Sequence, residues 1–353
     1  MRSVLVVVTR QIGDVLLTTP LIHAAKQLWP EAAVDVLGFQ GTLGMLRGNA
    51  EVREIIETPP RLGFGGTLAL AHRLWKRYDL ALVADVGDRA HIIGAIAGRV
   101  RSGVLPADNP SNWWKKRLLA HAVEAAGDLG EVHVVQEKLA LLEPWRNGMR
   151  FEAKLVPPPG KPLPPELAGR LQPRYVVVHA PSMWPYKQWP PAHFAALVRR
   201  LLEAGRQVVL TGGPSKEDRE LVASLATGGA IDAGVLDFGQ LASLLQGAAL
   251  YVGPDTSISH LAAACGTPMV AIFGPTNPQR WAPWPAQTES PVRFVRRADA
   301  QTVGSVTLLQ ADLPCVPCGK AGCDDHRFSR TECLPAITPE RVANEALRIL
   351  AAA

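Results

Sequence analysis

Two α/β domains built on parallel sheets are what this sequence predicts, and three observations carry that expectation. Short apolar runs alternate with helix-length amphipathic stretches from end to end. Val156 to Pro165 breaks the alternation near the middle, with six prolines in ten residues and no hydrophobic periodicity, as an extended linker would. A chain of 353 residues is long enough for two domains that each bury a core. The expected divisions are a domain over 1–156, a linker over 157–165, a second domain over 166–336 and a closing helix over 337–353.

Composition narrows the class. Hydrophobic residues at 47% and charged residues at 20% describe a globular chain rather than a disordered one. No apolar run is long enough to cross a bilayer. The first residues place one Arg before five apolar positions, too short for a secretory h-region, so they read as the first strand of a mature cytoplasmic protein. A net charge of +5 fits an anionic ligand or surface but selects no partner alone.

The first half opens with Val4 to Val8, a β-branched and Leu run suited to a strand buried on both faces. A turn over 9–14 leads to a helix over 15–29, ended by Pro30, and a strand over 33–39, which together make a βαβ unit. Further strands are expected at 55–56, 80–86 and 100–104, and helices at 68–78, 91–97, 113–126 and 135–145. After the linker come strands at 175–179, 207–211 and 230–233 and helices at 192–203, 215–226 and 238–248. Tyr251 to Thr276 follows as strand, polar Asp-Thr-Ser crest, Ala-rich helix from Ile258 to Cys265, a Gly266 stop and the strand 269–273. Thr338 and Pro339 then start the last helix. Two such halves are expected to leave a cleft at the carboxyl ends of their strands, where open α/β sheets bind ligands.

The residues able to do chemistry fall at those strand ends. Asp14 follows the first strand and is either a helix N-cap or a general base for an incoming hydroxyl, with Gly13 permitting close approach. Asp255, Thr256 and Ser257 begin a helix whose free N–H groups and dipole form an anion site. The loop 179–190 carries Ser182, Lys187, two Trp and a Tyr, and Lys187 is suited to compensating a diphosphate. Glu217, in a helix start after another strand, is placed to hold a ribose diol. Neither a G-x-G-x-x-G fingerprint nor a P-loop, a G-x-S-x-G elbow or an H-E-x-x-H is present. Phosphate binding therefore falls to helix ends and Lys187.

Four stretches, IGDVLLTTPLIHAAKQLWPEAAVDVLG, YDLALVADVGDR, PSMWPYKQWPPAHFAALVRRLLEAGRQVVLTGG and GPDTSISHLAAACGTPMVAIFGPTNPQRWAPW, resemble in the same order the bacterial heptosyltransferases of glycosyltransferase family 9, within them the lipopolysaccharide heptosyltransferase III branch. The resemblance implies a GT-B pair of Rossmann-like domains. It implies an inverting, metal-independent transfer of heptose from ADP-heptose to inner-core lipopolysaccharide by a peripheral enzyme of the inner membrane's cytoplasmic face. It places Asp14 as base, Lys187 on the donor phosphates, Asp255, Thr256 and Ser257 as the donor-binding crest with His260 in its helix, and Glu217 on the ribose. Ser257 stands where the family often has Gly. Transfer of a different nucleotide-bound sugar, or a nucleotide-sugar epimerase, stays open. A two-domain solute-binding protein would need an export signal, which the sequence lacks.

Two features lie outside those motifs. Lys115, Lys116 and Arg117 follow two Trp at a helix start, and with Arg89 they are the expected contacts for the phosphates of a lipopolysaccharide core or an anionic membrane face; a solvated helix is the other reading. Cys315, Cys318, Cys323 and Cys333 are spaced C-x2-C-x4-C-x9-C, a set that can hold a structural zinc or iron. A disulfide there is not expected in a reducing cytoplasm.

Overall fold

The computed structural model describes residues 1–107, 109–286 and 294–352, and the chain divides into two compact units, Met1–Pro158 and Pro159–Ala353. In the first unit the strands are β1 (Ser3–Val8), β2 (Ala33–Phe39), β3 (Glu54–Thr58), β4 (Tyr78–Val83), β5 (Gly98–Pro106) and β6 (His121–Ala125). Among the described residues they form one parallel sheet in the order β3-β2-β1-β4-β5-β6. The chain winds outward from β1 to one edge, returns to the other side of β1 and winds to the opposite edge. That reversal leaves a crevice between the loops after β1 and β4, the Rossmann switch point. Apolar side chains cover β1 and β4 on both faces, as central parallel strands require.

Some local expectations yield to this topology. The helix expected over 113–126 stops at Leu118, and His121–Ala125 becomes the edge strand β6, because pairing with β5 outweighs a weak local helix preference. The single helix expected over 15–29 is two, Ile12–Leu16 and Thr19–Leu28. Pro20 explains the break, since it has no N–H to give the Leu16 carbonyl and its ring crowds that turn. Between 134 and 145 the α-helix ends at Leu139 and a tighter 3₁₀ turn runs on through Pro144.

The second unit repeats the plan. Its strands are β7 (Val176–His179), β8 (Val208–Thr211), β9 (Ile231–Asp232), β10 (Leu250–Pro254), β11 (Met269–Phe273), β12 (Ala300–Val303) and β13 (Val306–Gln310). Their order is β12-β13-β11-β10-β7-β8-β9, so β7 and β10 flank the switch point as β1 and β4 do in the first unit. β12 and β13 were not among the expected strands. They form an antiparallel hairpin closed by Gly304-Ser305, with β13 parallel to β11. The last helix, Pro339–Ala352, buries Val342, Ala343, Ala346 and Leu350 in this unit's core beside Trp189 and Phe194. Ala353 of the expected closing helix lies outside the described residues. Among those residues no helix is long and apolar enough to cross a membrane.

The helix Ser257–Ala264 lies close to its sheet because Ala262, Ala263 and Ala264 present only methyl groups. Gly253, on β10, makes room for the Tyr251 ring: a Cβ there would stand 2.3 Å from Tyr251 Oη and 3.1 Å from the His179 carbonyl oxygen. Gly253→Ala is expected to lower unfolding free energy by about 1–3 kcal/mol, the usual cost of overpacking, as read from urea melts.

Candidate functional site

Three loops converge at the carboxyl ends of β7, β10 and β11. Asp255, the first residue after β10, is buried, and Lys187 Nζ donates to its Oδ2 at 2.6 Å. Burial opposes ionisation of this carboxyl most strongly. Lys187, the nearby His260 and a hydrogen bond from Thr276 together outweigh it and hold the group below the usual carboxylate range. Thr276 belongs to the loop after β11; it lies within one of the four family motifs but is not among the expected site residues.

Lys187 sits in a 3₁₀ turn, Pro185–Lys187, in the middle of a loop that is braced at both ends. The Gln188 amide donates to the carbonyls of Ala180 and Trp189, both at 2.9 Å, and its Oε1 accepts the Ser182 N–H at 2.9 Å. Trp189 is fully buried, meets Phe194 edge-on with ring centroids 4.8 Å apart, and donates its indole N–H to the Ile337 carbonyl at 2.9 Å. The lysine is therefore carried by a loop whose base belongs to the core. His179, at the end of β7, is buried against Thr211, and burial pushes its imidazole down to about 4, so it is neutral at physiological pH.

Thr256 is the N-cap of the helix Ser257–Ala264, and its hydroxyl makes no cap hydrogen bond; the Asp255 carboxylate before it is turned to Lys187. The first-turn N–H groups thus lie beside a cation held at the same switch point. The combination of a helix dipole, free amides and an ammonium favours a ligand carrying more than one negative charge.

In the first unit the corresponding carboxylate is Asp85, two residues past β4. It is buried, accepts the N–H and hydroxyl of Thr9 after β1 on one oxygen, and takes the Gly87 N–H at 2.8 Å on the other. Asp14 lies inside the first helical turn rather than at its cap, which is Gln11. Its side chain stays partly open to solvent, with Arg10 Nε 3.9 Å away. Beneath it the buried Lys138 donates to the Asp14 carbonyl and to Thr18 Oγ1, both at 2.7 Å. Burial lowers that ammonium to about 8 against the pull of Asp14 and Asp85. Lys138 looked like an ordinary helical lysine in sequence and is the fixed point of the Asp14 backbone.

The model of the family described as glycosyltransferase family 9 (heptosyltransferase) matches residues 67–300. The lipopolysaccharide heptosyltransferase 3 of Escherichia coli is 31% identical over 289 residues, 77% of this chain and 83% of that protein. The chain belongs to glycosyltransferase family 9. Two solved structures share the fold of this family member. The Escherichia coli ADP-heptose lps heptosyltransferase II has a TM-score of 0.72 at 22% identity, covering 99% of each chain. Escherichia coli heptosyltransferase WaaC with ADP has a TM-score of 0.71 at 19% identity, covering 98% of this chain and 99% of that one. Two Rossmann-like units of the GT-B class, and a glycosyltransferase, are thereby established for this chain.

The other expected site residues of this family 9 chain are placed less tightly. Glu217 is exposed in the first turn of the helix Lys216–Leu225, which Ser215 caps. Lys115 is buried and committed, with its ammonium 2.6 Å from Asp88 and donating to the Val86 carbonyl at 2.9 Å. Lys116 pairs with Glu124 on the surface at 3.1 Å, and Arg117 lies over the exposed Trp113 ring. Arg89 donates to Thr58 Oγ1 at 2.9 Å and to the Pro60 carbonyl. Cys315, Cys318, Cys323 and Cys333 are free thiols. Burial pushes the Cys333 thiol up to about 11, and Cys318 and Cys323 lie near enough to reinforce that. Among the described residues no three or more His, Cys, Asp or Glu side chains are grouped so that they could hold a metal ion.

Lys187→Ala is expected to cost about 3 kcal/mol of unfolding free energy at pH 7, since it strands a buried carboxylate. In the parent the pair's contribution is complete above pH ~4, the unfolded carboxylate value, and is lost only as pH falls through the lower folded value. In the variant the stranded carboxylate takes up a proton more readily, so the deficit narrows on acidification. Urea melts across that range measure both.

Proposed function

We propose that this glycosyltransferase moves heptose from ADP-heptose to the inner core of lipopolysaccharide or lipooligosaccharide, with inversion. The observation that carries the reading is the Lys187–Asp255 pair at the uncapped start of the helix Ser257–Ala264. It is a site for a departing diphosphate. The lipopolysaccharide heptosyltransferase names of the curated relatives supply the sugar and the acceptor class.

In the proposed reaction the Asp14 carboxylate takes the proton of an acceptor hydroxyl. The hydroxyl oxygen bonds to the anomeric carbon on the face opposite the diphosphate, and the bond from that carbon to the diphosphate oxygen breaks. ADP leaves with the electron pair. Lys187 and the N–H groups of Ser257 and its neighbours hold the charge that develops. Ser257, in place of the frequent Gly, adds a hydroxyl to that cradle. Ser182 and His260 line the donor side, and Glu217 holds the ribose diol. Arg89, Lys115, Lys116 and Arg117 are the acceptor-side cations, of which Lys116 and Arg117 are the more accessible. The chemistry calls on no metal. We place the enzyme in the cytoplasm, peripheral to the inner membrane.

Purified protein incubated with truncated core lipopolysaccharide and a panel of nucleotide sugars tests the reading by mass spectrometry. One heptosyl increment with ADP-heptose alone is expected. An increment from another sugar, or a free 2-epimer formed without acceptor, would contradict it. Asp14→Asn is expected to cut turnover by about 10²–10⁴ while leaving ADP affinity unchanged by calorimetry, and undiminished turnover would remove Asp14 as the base.

A further inference from the structure

The first unit carries an apolar surface that meets the residues assigned above to transfer only at Arg89 and at Asp88, the partner of Lys115. The helix Phe64–Leu74 buries only Leu74, although its sequence, FGGTLALAHRL, is largely apolar. Phe64, Leu68 and Trp75 recur at i, i+4 and i+11, one stripe of the helix, and are 83%, 55% and 68% exposed. Ile92, from the neighbouring helix Asp88–Ala97, adds a side chain that is 49% exposed. Between the two helices opens a groove of about 680 Å³ lined by Leu62, Leu70, Leu74, Ile92 and Ile96, and also by Arg61 and Arg89. A contiguous apolar patch of this kind marks a surface that is covered in use.

The surrounding charge selects the cover. Arg73 and Arg77 share one carboxylate, Glu54, so two cations face one anion, while the Lys76 ammonium by the Trp75 ring donates to the carbonyls of Ala95 and Gly98. Arg61 is exposed, and Asp88 on the groove wall is taken by Lys115. A second copy docked on this face by a two-fold would set the same cations against themselves. An anionic lipid surface meets both the apolar stripe and its basic flank.

We propose that the helix Phe64–Leu74 and its groove are the membrane-docking face of this protein. The helix lies in the plane of an anionic phospholipid bilayer, with Phe64, Leu68 and Trp75 among the acyl chains and the basic flank on phosphates. The proposal rests on the peripheral-membrane part of the reading above, and its test does not depend on turnover. The full chain is floated with vesicles of phosphatidylcholine alone and of phosphatidylcholine with phosphatidylglycerol. Parent protein binds the mixed vesicles and not the neutral ones. The Phe64→Ser, Leu68→Ser double variant, both positions being exposed, keeps the parent's melting temperature and its turnover on delipidated core oligosaccharide, but binds the mixed vesicles at least about tenfold more weakly. Arg61→Gln weakens binding about fivefold. Equal binding by parent and double variant, or equal binding to neutral vesicles, overturns the proposal. So does binding only when the vesicles contain acceptor lipopolysaccharide, which assigns the face to the acceptor's lipid, or parent self-association that the double variant abolishes, which assigns it to a second copy.

Discussion

A carboxylate buried at the end of β10 has to be kept charged, and much of the second unit is arranged to do so. Taking Asp255 out of water costs several kcal/mol, which its partners offset only with close geometry. Lys187 must therefore arrive at one place and stay there. The loop that delivers it is tied by Gln188 to its own backbone and by Trp189 to the carbonyl before the last helix, which is why that helix belongs to this unit's core. The start of the helix Ser257–Ala264 carries no side-chain cap at Thr256. An ammonium and a set of amides thus lie at one switch point, and the proposed role of that preorganised charge is to stabilise a leaving diphosphate without reorganisation at the moment of transfer.

The first unit solves the corresponding problem without a cation. At its own switch point Asp85 is satisfied by the N–H and hydroxyl of Thr9 and by the Gly87 amide, so the two loops are bridged by neutral donors. Asp14 is left partly exposed, on a backbone that Lys138 anchors from below. The Asp14 carboxylate is left with Arg10 no closer than 3.9 Å, the setting its proposed role as base calls for, whereas Asp255 is held by Lys187. One strand order, used twice, therefore presents a part-exposed carboxylate in one unit and a buried ion pair in the other, and the difference lies in which residues follow the central strands.

Much of this was legible in sequence because strand ends are. The apolar runs that become β1, β4, β7 and β10 stand out, and in a parallel sheet whatever follows such a run sits at the carboxyl edge. Asp14, Lys187 and the Asp-Thr-Ser crest are singled out on that logic and from the family motifs as the proposed site residues. What the sequence did not disclose depends on contacts between distant segments. Asp85 lay within a quoted motif, but its tie to Thr9 exists only once β1 and β4 are neighbours. Lys138 is 124 residues from Asp14, and no local pattern separates it from a surface lysine. His121–Ala125 reads as helix until β5 offers it an edge, and the hairpin of β12 and β13 is too short and polar in part to show as a periodic run. The cysteine spacing suggested a metal cage, and it did not show that Cys333 is buried while Cys315 and Cys323 are exposed.

The account stands on the claim that Lys187, held by Asp255, is the cation that receives the donor's diphosphate. Calorimetric titration of ADP into the parent and into Lys187→Ala, both verified as folded at the working temperature, tests it most directly. A loss of affinity of at least about tenfold, the scale of one charge-assisted contact, is the predicted result. Equal affinity for ADP in the two proteins would contradict it.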